Sequence, residues 1–231
     1  MKQRLVIMSA GKNTRFNSEE KIFAKINDLS NLENTCRCAD GMFDRIFLAV
    51  DRRWFKKWKK VPPEVQILDT IGGKGDIYSI YYALKGMKGL KPEDIVTVCW
   101  GDAVFASELP FKELLSQYDD IHDTFVAVAR DHYPYAWFDV DGEAVAKASF
   151  RKDDGDVPIG IHDQSLFGFR ARSMDLMNEY ISIPSVNEYK TLKYFEWLYD
   201  TRSSPAVCRF IAKDNVKSFN TKDELRRIVE C

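Results

Sequence analysis

Residues 95–100, Ile-Val-Thr-Val-Cys-Trp, form an unbroken apolar and β-branched run with no polar alternation. A run of this kind has no face to offer water, so it reads as a strand buried on both faces in the middle of a sheet. Both faces must then be covered, and the chain supplies the cover. Apolar β-rich runs recur at 4–9, 43–50, 65–68, 95–100, 124–129, 165–170 and 206–212, separated mostly by segments of helical spacing. Residues 77–84 carry apolar groups at helical spacing and stop at Gly86, a candidate C-cap, which makes them a crossover helix. The expected fold class is α/β: three layers, α/β/α, Rossmann-like, around a mixed, mainly parallel sheet.

The regularity changes further along. Residues 138–145 alternate around Asp141-Gly142, the turn chemistry of a small antiparallel hairpin insertion. Residues 187–200 read as a helix with buried aromatics, and Thr221-Lys222-Asp223-Glu224 is a capping box that opens a final helix over 225–230. Trp54 to Lys60 reads as a short helix whose Lys stems lie over apolar surface. No linker, internal repeat or low-complexity stretch divides the chain, so 1–231 is expected to be one domain, without a repeat-built second one.

Composition narrows the function classes. With 34 Lys and Arg against 35 Asp and Glu the net charge is −1, which carries no bulk footprint for nucleic acid. No apolar run approaches the roughly 18–20 residues of a membrane span. The apolar stretch after Met-Lys-Gln-Arg is shorter than a signal-peptide core and reads as the first strand. Five scattered cysteines and three histidines suggest neither a disulfide framework nor a zinc site, so a reducing cytoplasm is the expected location.

The first strand runs into Ser9-Ala10-Gly11-Lys12-Asn13-Thr14-Arg15-Phe16, a small-residue turn with two cations and a hydroxyl. Backbone N–H groups at the carboxyl end of a strand favour anions, so a phosphate-binding loop is expected there. It is neither a GxxxxGK[ST] loop nor a GxGxxG fingerprint. Farther on stand Trp100-Gly101-Asp102 at the end of the central run and Ser218-Phe219-Asn220-Thr221 before the last helix.

These three segments, in this order, resemble the motifs of the NTP transferase family, the nucleotidyltransferases that make nucleoside-diphosphate sugars and related activated alcohols on a glycosyltransferase-A-like fold. The family's AGxGTR opening stands here as Ala10-Gly11-Lys12-Asn13-Thr14-Arg15, followed by a lysine at Lys21 and the apolar stretch 22–26. Asn13 replaces the second glycine and Glu20 the proline before the lysine; asparagine tolerates left-handed backbone better than other non-glycine residues. Lys25 is the rival for the lysine role, but the apolar stretch matches only with Lys21 in front. The resemblance implies Mg²⁺ on Asp102 and Asn220, and Arg15 and Lys21 as the catalytic cations.

Weaker echoes lie between. Gly72-Gly73-Lys74-Gly75-Asp76 stands where the family places a Gly-Thr loop against the nucleobase, which implies nucleotide contacts at Gly73, Lys74 and Gly75 beside Ala10, Gly11, Lys12, Asn13 and Thr14. Lys152 stands for the lysine of a Glu-Lys-Pro motif, with Arg151 in place of Glu. Ser165 replaces the glycine of an Asn-Ala-Gly strand. Glu188 with Tyr189 resembles an acidic pair used on the acceptor. The nucleotide part would then be about 1–130 and the acceptor part, with Lys152 and Glu188, about 131–220.

The implied reaction joins an NTP, by analogy CTP or UTP, to a phosphorylated sugar or small alcohol and releases pyrophosphate. A phosphate monoester is already a strong anion at neutral pH, so its oxygen attacks without a general base and histidines can be scarce. Arg15 can fork onto two phosphate oxygens while Lys21 acts as a point charge. Two alternatives accompany this reading. Asp139-x-Asp141 invites a glycosyltransferase of similar fold, although a D-x-D site should end a central strand and this one sits at a hairpin turn. A non-catalytic nucleotide-binding remnant is the other, motivated by Asn13, Glu20 and Lys74. Oligomeric state is unconstrained.

Overall fold

The computed structural model describes residues 2–11, 16, 20–56, 58–186, 188–201, 204–213 and 215–230. Its strands are β1 (Gln3–Ser9), β2 (Lys25–Ile26), β3 (Leu29–Ser30), β4 (Arg45–Val50), β5 (Val65–Asp69), β6 (Ile95–Trp100) and β7 (Ala103–Phe105). They continue with β8 (Thr124–His132), β9 (Ala136–Asp141), β10 (Ala144–Phe150), β11 (Ile159–Arg170), β12 (Val207–Phe210) and β13 (Val216–Ser218). The helices are α1 (Asn31–Cys38), α2 (Asp76–Lys85), α3 (Leu109–Ser116), α4 (Arg151–Asp154), α5 (Met174–Ile181), α6 (Thr191–Asp200) and α7 (Lys222–Val229).

The apolar run at 95–100 is indeed interior. A nine-stranded sheet has the order β5-β4-β1-β6-β11-β8-β12-β10-β9, and β6 pairs in parallel with β1 and antiparallel with β11. Strands β5, β4, β1 and β6 are parallel neighbours, as strands buried on both faces should be. Alternation along each strand sorts the core into two halves. Val6, Val98 and Phe167 point to the side packed by Ile77 and Ile80 of α2, Met177 of α5 and Phe195 of α6. Leu5, Ile7, Cys99 and Phe125 point to the other, packed by Leu32 of α1 and by Phe111 and Leu114 of α3. This is the expected three-layer arrangement.

Three local expectations are corrected. The 138–145 hairpin is not a separate insertion: β9 and β10 belong to the main sheet, and β9 also pairs back to β11 at Phe138–Ile161, closing that half of the sheet on itself. The helix expected from 187 starts at Thr191, because Tyr189 is tied to the glycine loop, donating its N–H to the Lys74 carbonyl at 3.0 Å. The basic segment 54–60 holds only a 3-10 turn at Trp58–Lys60, since Asp51 takes the backbone N–H of Arg53 and the Asp51 carbonyl takes those of Trp54 and Phe55. Gly86 caps the C-terminus of α2 as expected, in right-handed geometry, φ −73°. No helix among the described residues is long and apolar enough to cross a membrane.

Candidate active site

Because β1, β4, β5 and β6 run the same way, the loops after Ser9, Val50, Asp69 and Trp100 gather at one edge of the sheet. Ligands of open α/β sheets bind at this carboxyl edge. Asp102 is held there from several sides. Gly101 donates its N–H to the Met8 carbonyl at 2.8 Å, and a Cβ on Gly101 would lie 2.8 Å from that oxygen, so only glycine fits. Buried Asn31 donates through Nδ2 to the carbonyls of Gly101 and Ala103, at 3.1 and 3.0 Å, bracing the peptide groups on both sides of Asp102.

Asn220 reaches the same place by a different route. The three-residue strands β7 and β13 pair antiparallel, Ser218 opposite Ala103, and Phe219 then donates its N–H to the Asp102 carbonyl at 3.2 Å. Thr221 and Glu224 form the expected capping box at the start of α7, which turns the chain sharply just after Asn220. Lys21 opens a 3-10 turn whose Ile22 is fully buried in the core. Glu20 before it has φ −71°, the value a proline would impose, and its carboxylate accepts the Lys56 N–H at 3.1 Å.

These three elements bring together Lys21, Asp102 and Asn220, three of the residues that the motifs singled out. The Lys21 ammonium donates to Asp102 Oδ2 at 2.9 Å and to Asn220 Oδ1 at 3.1 Å. The Lys21 side chain is only 12% exposed. A carboxylate oxygen and an amide oxygen thus converge on one cationic centre, the donor chemistry that a hard cation such as Mg²⁺ takes. Among the described residues no three His, Cys, Asp or Glu side chains cluster as a complete metal site, so such a cation would draw further ligands from phosphate or water. Lys25 is turned into its own hairpin, donating to the Asp28 carbonyl at 3.0 Å. Lys12, Asn13, Thr14 and Arg15 lie outside the described residues.

Two cavities open nearby. One, of about 510 Å³, reaches Trp100 and is lined by Ala10 and Gly11 of the first loop, by Gly72, Gly73, Gly75 and Asp76, and by Glu188. Lys74 is not among its walls; its ammonium lies over the Tyr78 ring, 5.1 Å from the centroid. The other, of about 420 Å³, reaches Ser218 and is lined by His162, Asp163, Ser165, Lys213 and Arg227 among others. Ser165 has φ +57°, left-handed backbone that explains why the resembled motif carries glycine; its hydroxyl pairs with that of Ser218 at 2.9 Å across a bulge in β11. Burial pushes the Asp163 carboxyl up, and the charge of Asp102 adds to the effect. Lys152 lies exposed on α4, and no contact links it to Lys21, Asp102 or Asn220. Asp139 and Asp141 are exposed in β9, with Asp141 accepting the Tyr199 hydroxyl at 2.8 Å, so the D-x-D pair sits on a hairpin.

Three residues of this edge escaped motif reasoning: Asn31, Asp51 and Arg53. Asp51 Oδ2 accepts the Gly72 N–H at 2.8 Å while Arg53 donates to the Gly72 carbonyl at 3.0 Å, clamping the glycine loop. The Arg53 side chain is bonded to the Asp51 carboxylate and, with backbone N–H groups of Gly72 and Arg53, holds the carboxyl down at about 2. The only local hint was an acidic residue directly after β4. A folded value below the unfolded one, near 4, means that this carboxylate stabilises the protein above about pH 4 and loses that contribution as pH falls through about 2. Urea midpoints measured from pH 7 down to 2.5 should therefore fall more steeply below pH 4 in the wild type than in Asp51→Asn. Parallel curves would remove Asp51 from the acid response.

The model of the MobA-like NTP transferase domain matches residues 5–178. No curated protein matches the sequence. Among solved structures, the inositol-1-phosphate CTP transferase from T. maritima is similar with a TM-score of 0.75 at 13% identity, covering 100% of this chain and 96% of its own. A putative glucose-1-phosphate thymidylyltransferase from Bacillus anthracis gives 0.75 at 10% identity, covering 99% and 94%. The 2-C-methyl-D-erythritol 4-phosphate cytidylyltransferase from Francisella tularensis gives 0.66 at 18%, covering 98% of both chains. At such identities the structures establish the common fold, while the domain match spans well over half of the sequence. The chain therefore belongs to the MobA-like NTP transferase family and is a nucleotidyltransferase.

Proposed function

We propose that the protein joins CTP or UTP to a phosphorylated sugar or small alcohol, releasing pyrophosphate with the help of Mg²⁺. The observation that carries this reading is the meeting of Lys21, Asp102 and Asn220 at the carboxyl edge of the sheet, from positions far apart in the chain. A phosphate oxygen of the acceptor forms the new bond to the α-phosphorus as the bond to the β-phosphate oxygen breaks. Alignment and charge neutralisation are what such a transfer needs. Lys21 would draw charge onto the leaving pyrophosphate, and Arg15, implied by the motif, would share that role. Asp102 and Asn220 would hold the magnesium ion, which when bound supplies positive charge to the phosphate oxygens.

The first loop and the 72–76 loop make the larger cavity the natural place for the nucleoside. Glu188, resembled to an acceptor residue, shares that cavity and is assigned to the nucleoside side instead. Lys152 is kept as an acceptor contact. The choice of a pyrimidine follows the similar structures, which are described as CTP, thymidylyl and cytidylyl transferases. A pyrophosphate-release assay with each NTP, Mg²⁺ and a panel of sugar and polyol phosphates should give release that needs both substrates and stops with EDTA. Consumption of a sugar nucleotide with release of a nucleoside diphosphate would favour the glycosyltransferase alternative.

A further inference from the structure

We propose that the carboxylates of Asp76 and Glu188 select a nucleobase bearing an exocyclic amino group, so that of the two pyrimidine donors CTP is taken and UTP refused. This deepens the assignment of the larger cavity to the nucleoside and rests on it. Of the described residues lining that cavity, Asp76 and Glu188 are the charged ones; the others are glycines, Ala10, Met8, Ser79 and Trp100. An ionised carboxylate only accepts hydrogen bonds. Cytosine turns an amino donor outward where uracil turns a carbonyl, so uracil would set acceptor against acceptor in a partly dehydrated space. A site built around a substrate's donor rejects the analogue that lacks it far better than an apolar pocket discriminates by size.

The fold holds the Asp76 carboxylate in place, while that of Glu188 is mostly exposed and lies 3.6 Å from the Lys190 ammonium. Asp76 begins α2, and its Oδ1 accepts the N–H groups of Ile77 at 2.9 Å and Thr191 at 2.6 Å. Both bonds land on one oxygen of the two. Gly75, at φ +108°, lets the loop press against the backbone of Tyr189, and Ile77 donates to the Tyr189 carbonyl at 3.2 Å. That contact carries the neighbouring Glu188 to the cavity wall.

Asp76 is also a costly way to make these two bonds. Burial pushes its carboxyl up to about 6, so the penalty is absent below about pH 4, grows between 4 and 6, and is complete above 6. Asparagine would accept the same two N–H groups without the charge. A purely structural latch at this position is better served by the amide, and the acid needs another reason to be there.

Calorimetric titration of ATP, GTP, CTP and UTP, each with Mg²⁺, into the wild type, Asp76→Asn and Glu188→Gln tests the idea. The wild type should bind CTP at least about tenfold more tightly than UTP, and each variant should shrink that ratio. Asp76→Asn should at the same time raise the thermal midpoint at pH 8, which establishes that it folds. UTP binding as tightly as CTP, or a ratio unchanged in both variants, overturns the proposal while leaving the nucleotidyltransferase reading intact. GTP or ATP binding above both pyrimidines upholds the amino rule and overturns the pyrimidine choice. If no nucleotide binds, the assignment of the cavity falls and the base rule with it.

Discussion

Lys21→Ala is expected to lower turnover by roughly a hundredfold or more, the usual cost of losing one preorganised electrostatic contact to a transition state. The reason lies in where the ammonium is kept. It is mostly shielded from water, so its charge acts in a medium of low effective dielectric, and its two oxygen partners are held by separate elements of the fold. Lys21→Arg should rescue little, because a planar fork cannot replace a point charge between two converging oxygens. Asp102→Ala should cost a similar factor. The two losses should combine to less than their product, since Lys21 and Asp102 touch and each removal disables the other. Single-turnover rates for the two variants and the double variant, with circular dichroism to confirm folding, make the comparison. Wild-type turnover in the Lys21 variant would exclude it from the chemistry.

Gly75→Ala should be the most damaging small substitution to stability, by more than about 3 kcal/mol. A Cβ at this position would lie 2.3 Å from the Tyr189 carbonyl oxygen and 2.6 Å from its backbone nitrogen, and φ is +108°. Backbone cannot step aside as a flexible side chain can, so either α2 or residues 188–191 must move. In a domain of this size the loss corresponds to a thermal midpoint lower by about 10 °C. Gly73→Ala is the matched control, since its φ is +86° but its Cβ would meet nothing within 4 Å. It carries backbone strain alone, about 1–2 kcal/mol. Equal midpoints for the two variants would mean that the contact with Tyr189 contributes nothing.

The contrast between these glycines marks where sequence reading runs out. Ile95–Trp100 could be read as a buried central strand because burial on both faces leaves its trace in six consecutive residues. Thr221 could be read as a helix start because its capping partner is three residues away. The family resemblance rested on three short motifs and is matched by the domain model over residues 5–178. Asn31 and the Asp51–Arg53 pair left no such trace, since each acts on carbonyls or N–H groups of a loop that is distant in the chain. The β7–β13 ribbon escaped for a related reason: three-residue strands are too short to show a period, and their pairing spans more than a hundred residues. Glu188 to Lys190 looked helical because aromatics follow at helical spacing. The preference lost to the hydrogen bonds that the glycine loop offers Tyr189.

The return of β9 to β11 bears on how copies of this molecule meet one another. An open sheet ends in two rows of unpaired backbone groups, each a template on which another chain can add a strand. Here the β9 end bends back onto β11, while β5 lies at the other end of the strand order. That remaining edge is only five residues long and keeps Gln66 and Asp69 exposed. A sheet of nine strands is thereby left with little on which strand-by-strand aggregation could begin.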